Sequence, residues 1–368
     1  MKVLIITTHM NRGGIGIYTL NLAKYLRKSG VDAEVASSGG DLEGELDAQG
    51  IPHVKLDIRT KSEFGLKVWK AVPRTAAVLK SGGFDIVHAQ TRVTQVLACA
   101  AGRIAGVPAV STCHGFFKHR RLSRRLFPCW GEKVIAISDS VRSHLVEDFR
   151  VEPGRVRRVY NGIELDRYLS CGHDKDSALM RETGLAEGAV IIGSIGRLSS
   201  VKGYVYLVEA FKELAEKAPL AQLFIVGEGP EREALEKQVT DLRLQDRVIM
   251  TPGGRKLEEY FTLMDVFCLP SVNEGLGLSL MEAMAAGRAC VASDVGGISE
   301  LIDDGDNGLL APPRDPGSLA AAILRLLNDE KARRIMGEKA RAKAAGNFSI
   351  QESVRGTADI YREIAGKV

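Results

Sequence analysis

The strongest constraint on the fold is a rhythm that runs through the chain twice. Short apolar runs at Val3–Thr7, Ala33–Ser37, Ile86–Ala89, Ala109–Thr112 and Val134–Ile137 alternate with helical patterns such as Ile17–Ser29, Val68–Ser81 and Thr94–Ala105. Uninterrupted apolar runs suit strands buried on both faces, and helices between them imply a parallel sheet. The rhythm restarts after residue 188. Strands are expected at Val190–Ser194, Leu223–Val226, Val248–Met250, Val266–Leu269 and Ala289–Ser293, with helices at Gly203–Glu216, Glu231–Leu242 and Leu257–Leu263. Two doubly wound α/β domains of similar size follow. A length of 368 residues also favours two cores over one.

The expected boundaries are an N-terminal domain at 1–165, a linker at 166–188, a C-terminal domain at 189–348 and a last helix at 349–368. The linker reading rests on a polar stretch containing Cys171 to Asp176 and two further glycines. Ligands of doubly wound sheets bind beyond the carboxyl ends of the strands. A shared site is therefore expected in a cleft between the domains.

Composition narrows the class. No stretch of 18 uncharged apolar residues occurs, so no transmembrane helix is expected. The six cysteines are scattered without a C-x-x-C pair, which fits a reducing cytoplasm and neither a disulfide frame nor a zinc site. Residues 1–170 carry 26 Lys/Arg against 16 Asp/Glu, and residues 171–368 carry 24 against 30. The first half is the one to meet an anionic partner. Its densest basic run is Lys118–Arg125, flanked by Phe116, Phe117, Phe127 and Trp130. Cations interleaved with large apolar side chains suit an anionic membrane surface over 116–130, against the plainer reading of a solvated helix. Nucleic acid is not expected as a partner.

Glu274 and Glu282, seven residues apart, carry the clearest chemical signal. Glu274 precedes the turn Gly275–Leu276–Gly277, and Glu282 lies in an apolar helical segment closed by Gly287. A bare helix N-terminus suits a phosphate, and a carboxylate on its rim accepts hydrogen bonds from hydroxyls. Together they fit a nucleotide sugar. Arg197 and Lys202 flank a Ser/Gly loop before a helix, an arrangement suited to a diphosphate, although no P-loop is present. After the first strand, Gly13–Gly14–Ile15–Gly16 opens a helix and lets backbone approach a phosphate or sugar. That loop nearly matches the dinucleotide fingerprint, but its third glycine is missing and the second strand ends in Ser37–Ser38 rather than an acid. His114 ends a strand before Gly115 and is a candidate to face the ligand; His88 and His9 are weaker ones. Val226–Gly227–Glu228–Gly229–Pro230 reads as a mainly structural turn. No spacing of His, Cys or carboxylates suggests a metal.

These motifs, in this order and over nearly the whole chain, resemble the retaining glycosyltransferases of family 4, with the GT-B fold. The resemblance is carried by GGIG at 13–16, HG at 114, VYNGIELDRY at 159–168, GRLSSVKG at 196–203, VGEGP at 226, DVFCLPS at 265–271 and EGLGLSLMEAMAAG at 274–287. It implies that Arg197 and Lys202 hold the donor diphosphate, that Gly14 and Ile15 close on it, and that Glu282 takes the ribose hydroxyls. Glu274 and the amides of Gly275, Leu276, Gly277 and Leu278 would contact the sugar and phosphate. His114 would lie near the transferred sugar as the second catalytic candidate beside Glu274, and the base would rest against Met250–Thr251. It further implies transfer without a metal or other cofactor, from a UDP- or GDP-sugar to a glycan or lipid-linked acceptor in envelope polysaccharide or lipopolysaccharide synthesis. The enzyme would be cytoplasmic, at the inner face of the plasma membrane. Family members often end in a helix that crosses back onto the first domain, as 349–368 would here. A front-face and a covalent route both remain open. The competing readings are an epimerase of the same fold and a dinucleotide oxidoreductase.

Overall fold

A computed structural model describes residues 1–117, 127–172 and 174–366. The chain forms two units, Met1–Gly162 with Ile350–Val368, and Ile163–Ser349. The basic run Lys118–Arg125 lies outside the described residues, apart from its flanks.

The first unit is built on a seven-stranded parallel sheet in the order β3-β2-β1-β4-β5-β6-β7. Its strands are β1 Lys2–Ile6, β2 Asp32–Ser37, β3 His53–Lys55, β4 Ile86–Ala89, β5 Ala109–Cys113, β6 Lys133–Ala136 and β7 Val156–Arg158. Successive side chains alternate between faces. Val3 and Ile5 pack with Tyr18 and Leu22 of the helix Gly14–Lys28 and with Val354 and Tyr361 of the helix Ile350–Ile364. Leu4 and Ile6 face the other way, toward Val68 and Val72 of the helix Leu66–Ser81 and Leu97 of the helix Arg92–Ala105. The sheet is thus covered on both sides, as its apolar runs require. The last helix earns its place by spacing: Ile350, Val354, Ala358 and Tyr361 recur on one stripe, and all are buried.

The second unit repeats the plan with six parallel strands, ordered β10-β9-β8-β11-β12-β13. They are β8 Val190–Ile195, β9 Ala221–Val226, β10 Val248–Thr251, β11 Val266–Leu269, β12 Ala289–Ser293 and β13 Leu309–Ala311. Ile192, Leu223, Ile225, Val266 and Val291 form one core face with Leu207, Phe211 and Ile323 of the covering helices. In both units the third strand is followed by a return to the far side of the first, which creates a switch point: between β1 and β4, and between β8 and β11.

Two sequence expectations differ from what is seen. The edge strands β3, β7 and β13 were not marked by periodicity, since each spans three residues and shows no full alternation. The stretch 166–188 is not simply irregular. It carries helices Asp166–Leu169 and Ser177–Thr183, the second capped by the Asp176 side chain and stopped by Gly184 at φ +81°. Tyr168, Leu179 and Met180 are buried there despite the density of charge around them. No helix among the described residues is long and apolar enough to cross a membrane.

Candidate active site

In the second unit the loops that follow β8 and β11 meet at the switch point. The β8 loop runs from Gly196 to Gly203, and the β11 loop from Pro270 to Gly277. Val272 N–H donates to Val201 O at 2.9 Å, which stitches them together. Gly203 makes that approach possible: its φ is +68°, and a Cβ there would stand 2.0 Å from Pro270 O. Two candidate residues thereby come into contact. Lys202 Nζ lies 2.5 Å from Glu274 Oε2, both largely buried, and Ser271 Oγ donates to the same oxygen at 3.2 Å. Arg197 is exposed and makes no ion pair among the described residues.

The helix Leu278–Ala285 begins directly after this loop. Gly277 caps it at φ +102°, no side chain accepts from its first turn, and no acid sits there. Its leading amides are the orphan donors of any helix start, and its dipole favours an anion. Glu282 stands further along the helix. Its carboxylate accepts from the Tyr168 hydroxyl at 2.9 Å. Burial raises Glu282 to about 7, against the opposing effect of that hydrogen bond and of nearby Arg167. Tyr168 stands in the VYNGIELDRY motif, which gives it no role; only the fold brings it to Glu282. Gly287 ends the segment in the left-handed region, φ +71°.

The turn Gly227–Pro230 lies beneath the β8 loop. A Cβ on Gly227 would stand 1.9 Å from Gly196 O, and one on Gly229 2.1 Å from Leu198 O. Its glycines therefore support the neighbouring loop through close backbone packing. Met250 and Thr251, half-buried at the end of β10, offer carbonyls already engaged by the chain: Arg232 donates to Met250 O at 3.2 Å and Gly227 N–H to Thr251 O at 2.8 Å.

The first unit gathers its own candidates at the carboxyl ends of β1, β4 and β5. Gly14 and Ile15 open the helix Gly14–Lys28, which has no side-chain cap and no acid in its first turn. A Cβ on Gly16 would meet Asn11 O at 2.3 Å, so that position needs glycine. His114 follows β5. Its Nε2 lies 2.8 Å from Gln90 Oε1, and its ring meets Tyr18 edge-on at 5.2 Å. Desolvation holds His114 down to about 3. His88 has its ring nitrogens on Tyr361 Oη and Thr112 Oγ1 and is held equally low by burial. It is a buried structural histidine rather than an open ligand. His9 Nδ1 accepts from Asn11 N–H at 3.2 Å. Ser37, at the end of β2, bonds His53 and the Gly39 amide, so no acid is present where a dinucleotide ribose would need one. Of the aromatics flanking the basic run, Trp130 is 3% exposed, and Phe117 and Phe149 pack on it. Phe116 and Phe117 are half-buried, and Phe127, 59% exposed, is the most open of the four. Among the described residues, no three His, Cys, Asp or Glu side chains come together as a metal site.

Two parallel-sheet units with loops of this kind have the architecture of the GT-B glycosyltransferases. The family model of Glycosyltransferase Family 4 matches residues 12–167, and that of Glycosyl transferases group 1 matches residues 176–343. An alpha-D-kanosaminyltransferase of Streptomyces kanamyceticus is 31% identical over 279 residues, covering 71% of this chain and 72% of its own. The Escherichia coli UDP-Gal:alpha-D-GlcNAc-diphosphoundecaprenol alpha-1,3-galactosyltransferase is 28% identical over 313 residues, 80% of each chain. Among solved structures, Anabaena Alr3699/HepE in complex with UDP and glucose superposes with a TM-score of 0.84 at 25% identity, covering 98% of this chain and 99% of that one. The chain belongs to glycosyltransferase family 4.

Proposed function

We propose that this protein transfers a hexosyl-type sugar from a UDP- or GDP-sugar, with retention of anomeric configuration, to a glycan or lipid-linked acceptor in envelope polysaccharide or lipopolysaccharide synthesis. The observation that carries the reading is the Lys202–Glu274 pair at the β8/β11 switch point, beside the uncapped start of Leu278–Ala285. A cation and a row of amide donors are what a departing nucleoside diphosphate needs. Lys202 and Arg197 hold the diphosphate, and Gly14 and Ile15 are further residues assigned to it. The amides of Gly275, Leu276, Gly277 and Leu278 take phosphate and sugar oxygens. Glu274 positions the transferred sugar, Glu282 takes the ribose hydroxyls, and the base lies along Met250–Thr251. His114 contacts the sugar. With these groups offsetting the charge, the reaction needs no metal.

The Escherichia coli relative is named for a diphosphoundecaprenol acceptor, which supports a lipid-linked acceptor here. The membrane reading of 116–130 rests on the basic excess of the first half of the chain, to which exposed residues elsewhere in the first unit add. Leu66 and Trp69 are exposed one turn apart, and Lys70 and Arg74 of the same helix are exposed and unpaired among the described residues. Phe127 adds to this surface through its contact with Phe64.

The test has two stages. Thermal stabilisation by UDP and GDP, compared with NAD, checks the nucleotide class. Mass spectrometry of products from a panel of UDP- and GDP-sugars, with a lipid extract as acceptor, then identifies the donor and acceptor. Stabilisation by NAD alone, or hydrolysis and epimerisation without a transferred sugar, would reject the reading.

A further inference from the structure

A chain of buried side chains runs through the first unit from its last helix to His114. Tyr361, on that helix, has its hydroxyl 2.5 Å from His88 Nδ1 on β4. The other ring nitrogen of His88 is 2.7 Å from Thr112 Oγ1 on β5. Gln90, at the end of β4 and 1% exposed, directs its amide nitrogen at the His88 ring, 3.3 Å from each nitrogen. Its amide oxygen faces away, toward His114 Nε2 at 2.8 Å. A second arm reaches His114 through Tyr18, whose hydroxyl lies 3.4 Å from Ser353 on the same last helix.

The chemistry of Gln90 fixes a proton. An amide oxygen only accepts, so His114 must donate from Nε2. In a neutral imidazole that leaves Nδ1 unprotonated, and Nδ1 has no partner among the described residues. It is an open acceptor for a hydroxyl. The Gln90 amide nitrogen, 3.3 Å from both His88 ring nitrogens, lies over the ring face, and that N–H···π contact favours the nitrogen there and the oxygen toward His114.

We propose that Gln90 is a positioning residue that holds His114 in one tautomer, with Nδ1 free to accept a sugar hydroxyl, and that the last helix locks Gln90 through Tyr361 and His88. The proposal deepens the reading of His114 as the histidine at the transferred sugar and rests on it. It assigns a task to residues that the motifs do not mark, and it makes the final segment of the chain part of the site's alignment. The depressed basicity of His114 agrees with a neutral hydrogen-bonding group rather than a proton shuttle. Tyr361 and Tyr18 pack on the His88 and His114 rings, and neither carries a fixed charge.

The experiment uses the full-length protein and four variants. In the wild type, histidine ¹³C/¹⁵N NMR should show His114 as a single Nε2–H tautomer. Gln90→Leu removes the acceptor, and the signal should become a tautomer mixture. Its kcat for transfer should fall about tenfold to a hundredfold, as for a lost well-placed hydrogen bond, with the donor KM and melting temperature nearly unchanged. Gln90→Glu keeps an acceptor but sets a carboxylate beside His114. That raises the pH at which the ring protonates and should add an acid limb to kcat at saturating donor, where the wild-type kcat is flat. A purely structural role would not move that limb. Tyr361→Phe should lower kcat in the same direction with its ring packing retained. Gln90→Leu with wild-type kcat and an unaltered His114 signal would overturn the proposal. His114→Ala separates the two failures: loss of transfer there, with Gln90→Leu fully active, refutes the positioning role alone. Full transfer in His114→Ala refutes the reading beneath it.

Discussion

Lys202 and Glu274 hold each other at 2.5 Å in a half-closed setting, with Ser271 on the same carboxylate oxygen. Removing the ammonium leaves Glu274 with one neutral partner and a site that repels a diphosphate. Lys202→Ala should therefore weaken UDP or GDP binding about tenfold to a hundredfold, the loss expected of a charge-assisted hydrogen bond. Arg197, exposed and without a competing carboxylate, should show a loss of the same sign in Arg197→Ala. Calorimetric titration with each nucleotide measures both, and unchanged affinity in the pair would dismiss the diphosphate assignment. Glu282 gives a pH signature. Only its ionised form accepts two hydroxyl donors, and burial raises it to about 7. Donor affinity should thus be flat above that value and fall as pH drops through it, approaching tenfold per unit. The Tyr168 hydroxyl lowers the Glu282 value, so Tyr168→Phe should move the inflection upward. An inflection that stays put would mean that Tyr168 does not tune the carboxylate.

Loops at the switch points depend on glycines whose need is geometric. Gly203 combines a left-handed φ with a backbone oxygen 2.0 Å from where its Cβ would stand. Gly203→Ala should cost about 1–3 kcal/mol from the backbone conformation alone. It should also separate the β8 and β11 loops, lowering nucleotide affinity together with the melting temperature. Gly188→Ala, also left-handed but with open space around it, is the matched control. Equal melting curves for the two variants would remove the argument from close approach. The same element scale explains what could be read from the chain. Interior strands such as Ile86–Ala89 and Ala289–Ser293 declare themselves as apolar runs because both of their faces are buried. Edge strands of three residues do not. The motifs marked Lys202, Glu274 and Glu282 as candidates, since glycine turns and helix starts leave a pattern in sequence. Gln90 left none, and Tyr168 stands in a motif that gives it no role, because their contribution is a contact made across the sheet or between segments far apart in the chain.

At the scale of the whole molecule, the covering of the first sheet depends on residues from both ends of the sequence. Ile350, Val354, Ala358, Ile360 and Tyr361 are all at or below 5% exposure against a core that includes Val3, Tyr18 and Leu22. Burying each large apolar side chain contributes about 1.5–3 kcal/mol. The set rivals the roughly 5–15 kcal/mol that stabilises an ordinary domain. A chain ending at Ser349 should therefore lose the packing of the first unit while the second, whose core lies within Ile163–Ser349, keeps its own. Fluorescence can report this selectively, because both tryptophans, Trp69 and Trp130, belong to the first unit. Trp130 is buried among Phe117 and Phe149, so its emission should shift to the red on truncation. Nucleotide affinity should fall far less than transfer, since the β8 and β11 loops stay intact and the His114 network does not. A truncated chain with native tryptophan emission and undiminished transfer would show that the helix merely straps the sheet and carries no part of its stability.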